Sequence, residues 1–181
     1  MRTLALSDEI LMKVDKAARY IGGEVNSVMK DKNDVDIRFA MCFPDVYEIG
    51  MSNLGMMILY NMFNEREDVW CERVFSPWMD LDKIMREEHI PLFALESQEP
   101  VKEFDFLGIT LGYEMCYTNV LQVLDLSHVS LLAKDRKEDD PIVIGGGACA
   151  YNRPNTQNFL ICFISVKGKR FMTSLRYLQR K

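Results

Sequence analysis

Three short runs concentrate the residues able to do chemistry. In Pro44-Asp45-Val46-Tyr47-Glu48-Ile49-Gly50-Met51-Ser52-Asn53-Leu54-Gly55, a carboxylate and a phenol (Asp45 and Tyr47) stand two residues apart, and Gly50 permits a tight turn beyond them. Ser52 and Asn53 fall where a helix would begin, and free N–H groups at such a start favour anions. The second run, Gly108-Ile109-Thr110-Leu111-Gly112-Tyr113-Glu114, leads into Cys116-Tyr117-Thr118-Asn119. Its small residues let backbone approach a flat ligand, with Tyr113 and Tyr117 along the edge. The third run is Gly145-Gly146-Gly147, three residues that lose much chain entropy on ordering and suit a close approach or a sharp turn. Each run has a purely structural reading as well: Ser52, Asn53, Thr118 and Asn119 as helix caps, the glycines as turns. None is a GxGxxG fingerprint, and no Lys follows in P-loop spacing. Together, a floor of small residues beside one acidic loop suits a large planar cofactor better than a nucleoside triphosphate.

The elements that must carry these runs alternate. Strands are predicted at Val35–Phe43, Val69–Phe75, Pro91–Leu95, Phe106–Leu111 and Ile142–Ile144. Helices are predicted at 50–63, from Pro77 to Glu88, and at 117–129. Several strands are apolar on both faces, as strands covered by helices on both sides must be. The expectation is an α/β fold, a flavodoxin-like (Rossmann-like) doubly wound parallel sheet of about five strands. In such sheets ligands sit beyond the carboxyl ends of the strands, where the strand order reverses. All three runs would open there. Ahead of the sheet, Ser7 would cap an extra N-terminal helix with Ile10, Leu11, Val14, Ala17, Ala18 and Ile21 on one face, stopped by Gly22-Gly23. Residues 1–34 are therefore expected as a helical lead-in, 35–152 as the α/β domain and 153–181 as a separate tail.

Composition narrows the classes. The chain has 181 residues, 48% hydrophobic and 27% charged, ordinary for one globular domain with its own core. Its net charge of −5 hides a split: residues 1–152 carry 15 Lys+Arg against 27 Asp+Glu, whereas 153–181 carry 7 Lys+Arg and no acid. An acidic body argues against nucleic acid as a partner. Five scattered cysteines, with no CxxC pair, read as reduced thiols in a cytoplasmic protein. No run of apolar residues reads as a signal peptide or a membrane span, so no membrane partner is expected. His89 and His128 lie in polar, helical surroundings, and no nucleophile–base pair stands out. No catalytic or metal-ligating residue is assigned.

At the three runs the chain resembles cobalamin (B12)-binding domains of flavodoxin-like fold, which carry a D-x-H-x-x-G loop, an S-x-L segment and a later G-G. The matching pieces are Asp45-x-Tyr47-x-x-Gly50, Thr110-Leu111 and Gly145-Gly146. A narrower likeness covers roughly residues 1–152. The runs from Phe43 to Gly55, Leu95-Glu96-Ser97, Tyr113-Glu114, Tyr117-Thr118-Asn119-Val120-Leu121 and Gly146 to Asn152 are similar to the N-terminal part of bacterial B12-binding-domain radical SAM proteins. The resemblance implies a cobalamin cofactor. Asp45, Tyr47 and Gly50 would frame the lower face of the corrin, Thr110, Leu111 and Gly145, Gly146 and Gly147 would surround the nucleotide tail and ring edge, and Ser52 and Tyr113 would complete the set. Tyr47 stands where that family has its cobalt-binding histidine. A phenol of pKa about 10 stays protonated at neutral pH and coordinates poorly, so cobalt should lack a strong protein ligand. The alternative is a cofactor-free docking domain of the same family.

The same resemblance implies that SAM and a [4Fe-4S] cluster belong to a C-terminal part missing from this chain. Here no C-x-x-x-C-x-x-C loop exists, and the radical SAM domain is the expected partner in cis. Residues 159–169, read one base out of phase, can encode a family-like Phe-Asp-Leu-Phe-Tyr-Ile-Gly-Glu-Gly-Glu, so a frameshift near Asn152 and an aberrant basic tail are expected. The competing account makes Phe159–Val166 a further strand and Thr173–Gln179 a short helix.

Overall fold

A computed structural model describes residues 4–151 and the strand at 162–164. Five strands, β1 (Ile37–Phe43), β2 (Val69–Phe75), β3 (Phe106–Thr110), β4 (Ile142–Gly146) and β5 (Cys162–Ile164), form one sheet in the order β2-β1-β3-β4-β5. Every pairing is parallel. This is the flavodoxin-like, doubly wound order, which reverses between β1 and β3. All of β1 is buried, as an inner strand of a sheet covered on both faces requires.

Helices α1 (Asp8–Leu11), α2 (Tyr47–Met51), α3 (Leu54–Asn64), α4 (Met79–Glu88) and α5 (Tyr117–Leu126) complete the fold. On one face, Phe39, Met41, Cys71, Phe106 and Ile144 of the strands pack with Met56, Tyr60 and Phe63 of α3. On the other, Ala40, Cys42, Val74, Leu107, Ile109 and Val143 pack with Leu81 and Met85 of α4 and Val120, Val123 and Leu124 of α5. Asn53 caps α3 by accepting from the Met56 N–H at 2.9 Å, which divides the predicted helix at 50–63 into α2 and α3. The two histidines end helices: His89 closes α4 and His128 follows α5, both exposed and at φ 56° and 54°.

Two predicted elements differ. The lead-in is not one helix. Ser7 does cap α1, but the chain leaves the helix after Leu11 and makes one 3-10 turn at Ala17–Arg19. Between them the Asp15 N–H donates to Asp80 of α4 at 2.8 Å instead of continuing the helical ladder. Leu6, Ile10, Val14 and Tyr20 nevertheless join the core on the α4–α5 face. Nor is Pro91–Leu95 a strand of the sheet. Leu92, Phe93, Ala94 and Leu95 are buried, but the N–H groups go to scattered acceptors: Leu92 to Leu126 O, Ala94 to Glu99 O and Leu95 to Arg73 O. Of the tail, β5 pairs with β4; the remaining expectations for 153–181, including the frameshift, lie outside the described residues.

The edge strand β2 is closed by side chains rather than by another strand. Asn64 acts as a surrogate strand residue, its amide donating to Cys71 O and its carbonyl accepting from Cys71 N, both at 2.9 Å. Glu96 accepts the Arg73 N–H at 2.7 Å, and Lys30 donates to Val69 O at 2.6 Å. Lys30 also donates to Asn64 O and Arg66 O, placing a cation against the C-terminal carbonyls of α3. Among the described residues no helix is long and apolar enough to cross a membrane.

Candidate functional site

A cleft of about 330 Å³ opens between α3 and the carboxyl-terminal halves of β1, β3 and β4. Phe39, Met41, Met56, Leu59, Phe63 and Ile144 make apolar walls; Asn53 and Gly55 form one lip, and Thr110, Gly146 and Gly147 the other. The parallel register sets Thr110 beside Gly146, so two of the three runs meet by strand pairing alone. The third contributes Asn53 and Gly55 from the start of α3. Gly147 stands at φ +121°, and a Cβ there would come within 2.5 Å of the Leu111 carbonyl oxygen. That carbonyl accepts the Cys149 N–H at 3.0 Å while the Leu111 N–H donates to Gly146 O at 2.6 Å. The glycine run is thus a turn folded against β3, and it leaves Thr110 as the one side chain on that lip.

Beside the cleft, at the β1–β3 reversal, the loops are stitched together. The Tyr113 hydroxyl donates to Asp45 Oδ2 at 2.7 Å, and Asp45 Oδ1 accepts the Val46 N–H at 2.8 Å. The Asp45 carbonyl accepts from Ser76 N at the end of β2, and Asn119 of α5 donates to Pro44 O at 2.9 Å. Asn119 therefore binds a loop rather than capping α5. The hydrogen bond to Asp45, helped by partial burial, pushes the Tyr113 phenol up to about 12.

Other predicted site residues point elsewhere. Tyr47 donates to Glu24 Oε1 at 3.0 Å and packs edge-on against Phe75, 5.5 Å between centroids. Burial first, then Glu24, pushes its phenol up to about 12. It lines a separate small hollow with Arg19, Tyr20, Arg73 and Ser76. Gly50 packs α2 on the sheet, since a Cβ there would lie 2.2 Å from the Phe75 ring. Ser52 donates to Glu48 O at 2.7 Å and is exposed. Leu111 is fully buried in the core on the α4–α5 side, across the sheet from the cleft, and Gly145 is buried within β4 opposite Ile109.

Sequence reasoning missed the polar framework behind the site. Arg73, fully buried, donates through Nε to Glu96 at 2.6 Å and through its terminal nitrogens to Ser27 and Glu24, with its guanidinium 4.6 Å from the Tyr60 ring centroid. On the other face Arg38 pairs with buried Glu72 at 2.7 Å and with Glu99, and lies over the Phe104 ring. Glu72 also accepts the Ser97 N–H, and Gln98 donates to Tyr20 O and Leu95 O. The signal was present: Arg38, Glu72 and Arg73 are charges inside otherwise apolar strand runs, and buried charges must be paired.

The cleft suits a flat, mainly apolar group with a few polar atoms at its edge. Gly146 and Gly147 on its lip leave room for backbone-to-ligand contact. It offers no metal-binding set: among the described residues no group of three or more His, Cys, Asp or Glu could hold a metal ion. Cys42, Cys71, Cys116 and Cys149 are buried free thiols. Burial raises the pKa of all four.

No solved structure matches the chain. An uncharacterized protein of Methanocaldococcus jannaschii is 24% identical over 112 residues, which are 61% of this chain and 19% of that protein. The chain thus spans about a fifth of its relative's length. The family model described as "Radical SAM proteins, N-terminal" matches residues 55–178, a span that includes α3, β2 to β5, the glycine run and most of the basic tail. With well over half of its length matched, the chain belongs to this family of radical SAM proteins, in their N-terminal region.

Proposed function

We propose that the chain is a corrinoid-binding module of a radical SAM protein, with cobalamin as its cofactor and the radical SAM region as its partner in cis. The observation that carries the reading is the cleft at the carboxyl edge, walled by aromatic and thioether side chains and lipped by Thr110, Gly146 and Gly147. It lies beside the reversal of strand order, the usual place for a planar cofactor on this fold. Thr110, Gly146, Gly147 and Asn53 would hold the group, with Asp45 and Tyr113 at its rim; bound there, a corrinoid would supply a cobalt centre. Tyr47 keeps its proton and is engaged by Glu24, so it offers cobalt no phenolate. SAM and the iron–sulfur cluster would be held by the radical SAM region.

A second reading, a cofactor-free docking domain, is favoured by the exposed apolar residues at the same edge. Ile49 of α2, Trp78 and Met79 at the start of α4, and Met115 after β3 are all exposed. Titration with hydroxocobalamin separates the two. The first expects a shift in the corrin absorption bands and co-elution of cobalamin with the protein on gel filtration. An unchanged spectrum and free cobalamin would leave docking as the role.

A further inference from the structure

We propose that Asp45 and Tyr113 form a recognition subsite for a neutral primary carboxamide. The inference deepens the corrinoid reading and rests on it, because carboxamide chains line the periphery of the corrin ring.

The geometry presents one acceptor and one donor side by side. Asp45 is held from two directions, by the Val46 N–H on Oδ1 and by Ser76 N on its carbonyl, so Oδ2 has a fixed heading. The Tyr113 hydroxyl reaches that oxygen at 2.7 Å from the loop after β3. Asp45 is only partly buried and Tyr113 is 41% exposed, so the pair can be reached from solution. Tyr113 follows Thr110 by three residues, and Thr110 lines the cleft. A ligand seated in the cleft and spreading over the edge of the sheet therefore meets this pair.

The chemistry selects the ligand group. Among the described residues no ion pair includes Asp45. Its carboxylate accepts hydrogen bonds and donates none. Tyr113 keeps its proton and can donate it. A primary carboxamide is complementary to both at once: its N–H takes the place of Tyr113 on Oδ2, and its carbonyl accepts a hydrogen bond from the freed Tyr113 hydroxyl. A ligand carboxylate at the same point would face the Asp45 charge with no ion-pair partner among the described residues to offset it, a like-charge contact that rejects the wrong group. The pair therefore distinguishes amidated from unamidated ring substituents.

The test compares hydroxocobalamin with its monocarboxylates, obtained by hydrolysing single peripheral amides, in absorbance titrations at neutral pH. The wild-type chain should bind the fully amidated form about tenfold more tightly than at least one monocarboxylate isomer, the equivalent of about 1.4 kcal/mol. Asp45→Asn keeps the acceptor for the Val46 N–H and removes the charge, so it should erase that preference. Tyr113→Phe should weaken the amidated form several-fold and leave that monocarboxylate nearly unchanged. Circular dichroism and melting of both variants report whether the fold is kept. Binding with equal affinity for all forms, or an Asp45→Asn variant that keeps the wild-type preference, overturns the subsite while the corrinoid reading stands. Failure of the wild type to bind any form overturns the corrinoid reading and the subsite together.

Discussion

Glu96 is a carboxylate under electrostatic tension at the residue scale. It is fully buried and bonded to the N–H and the Nε of Arg73, yet desolvation outweighs the guanidinium and pushes its carboxyl up to about 7. The folded value lies above the ordinary 4.5, so the folded state holds this proton more tightly than the unfolded chain does. The stability contributed by the group is complete below the unfolded value and is lost as pH rises through about 7. Glu96→Gln keeps an acceptor for Arg73 and removes the titration. Relative to the wild type, its unfolding free energy should therefore lack a decline on the order of 3 kcal/mol between about pH 4 and pH 8. Urea unfolding of both proteins across that range checks it; profiles that run parallel would reject the assignment. Gly50 offers a steric counterpart. Its missing Cβ lets α2 rest on Phe75, whose ring is backed by Tyr47 and cannot retreat freely. Gly50→Ala should cost about 1–3 kcal/mol by overpacking, read as a lower urea midpoint with an unchanged slope.

Among the elements, β2 shows how a parallel sheet can end without another strand. Asn64 → Leu would leave the Cys71 N–H and carbonyl without their present partners on a buried edge. The expected cost is about 2–4 kcal/mol, together with aggregation above the wild-type level in light scattering, since an uncovered edge is a template for pairing. A variant as stable and as monodisperse as the wild type would show that the surrogate pairing is dispensable. The same strand marks what was legible in the sequence. Runs such as Ile37–Phe43 and Phe106–Thr110 announce buried parallel strands because both faces are apolar, and the alternation with helices gives the fold class. Pro91–Leu95 carries the same local signal and is not in the sheet: burial, not pairing, explains its apolar residues. The lead-in has helical spacing, but its backbone is claimed by Asp80 of α4, a long-range contact that periodicity does not contain. At the cleft, the small residues at Thr110, Gly146 and Gly147 were readable as strand ends. The apolar walls from α3 were not, because nothing in the apolar-rich helical run 50–63 sets Met56, Leu59 and Phe63 apart from its other apolar residues. The position of Tyr47 away from the cleft was not readable either: its partner Glu24 lies in a strap of irregular chain whose path only the whole fold determines.

For the molecule as a whole, the parallel sheet gathers several unlike features on one edge: the open cleft, the Asp45–Tyr113 bridge and the exposed Ile49, Trp78, Met79 and Met115. Buried Arg–Glu pairs stand behind it on opposite faces of the sheet, Arg73–Glu96 and Arg38–Glu72, and both help fix the 95–98 turn against β2. The edge therefore sets an open cleft on a base of paired buried charges. Thr110→Trp tests whether the cleft is the seat of that ligand. Thr110 is the last residue of β3, only partly buried, and its side chain faces the space between α3 and β4. An indole placed there would put a bulky apolar group into a cleft of about 330 Å³ and leave the strand ladder and both cores in place. The variant should keep its far-ultraviolet circular dichroism and lose hydroxocobalamin binding by at least about a hundredfold, near 2.7 kcal/mol. Thr110→Ser, which keeps the hydroxyl and adds no bulk, should bind within about threefold of the wild type. Retained binding in a folded Thr110→Trp protein would move the ligand away from the cleft and leave the carboxyl edge to partner docking alone.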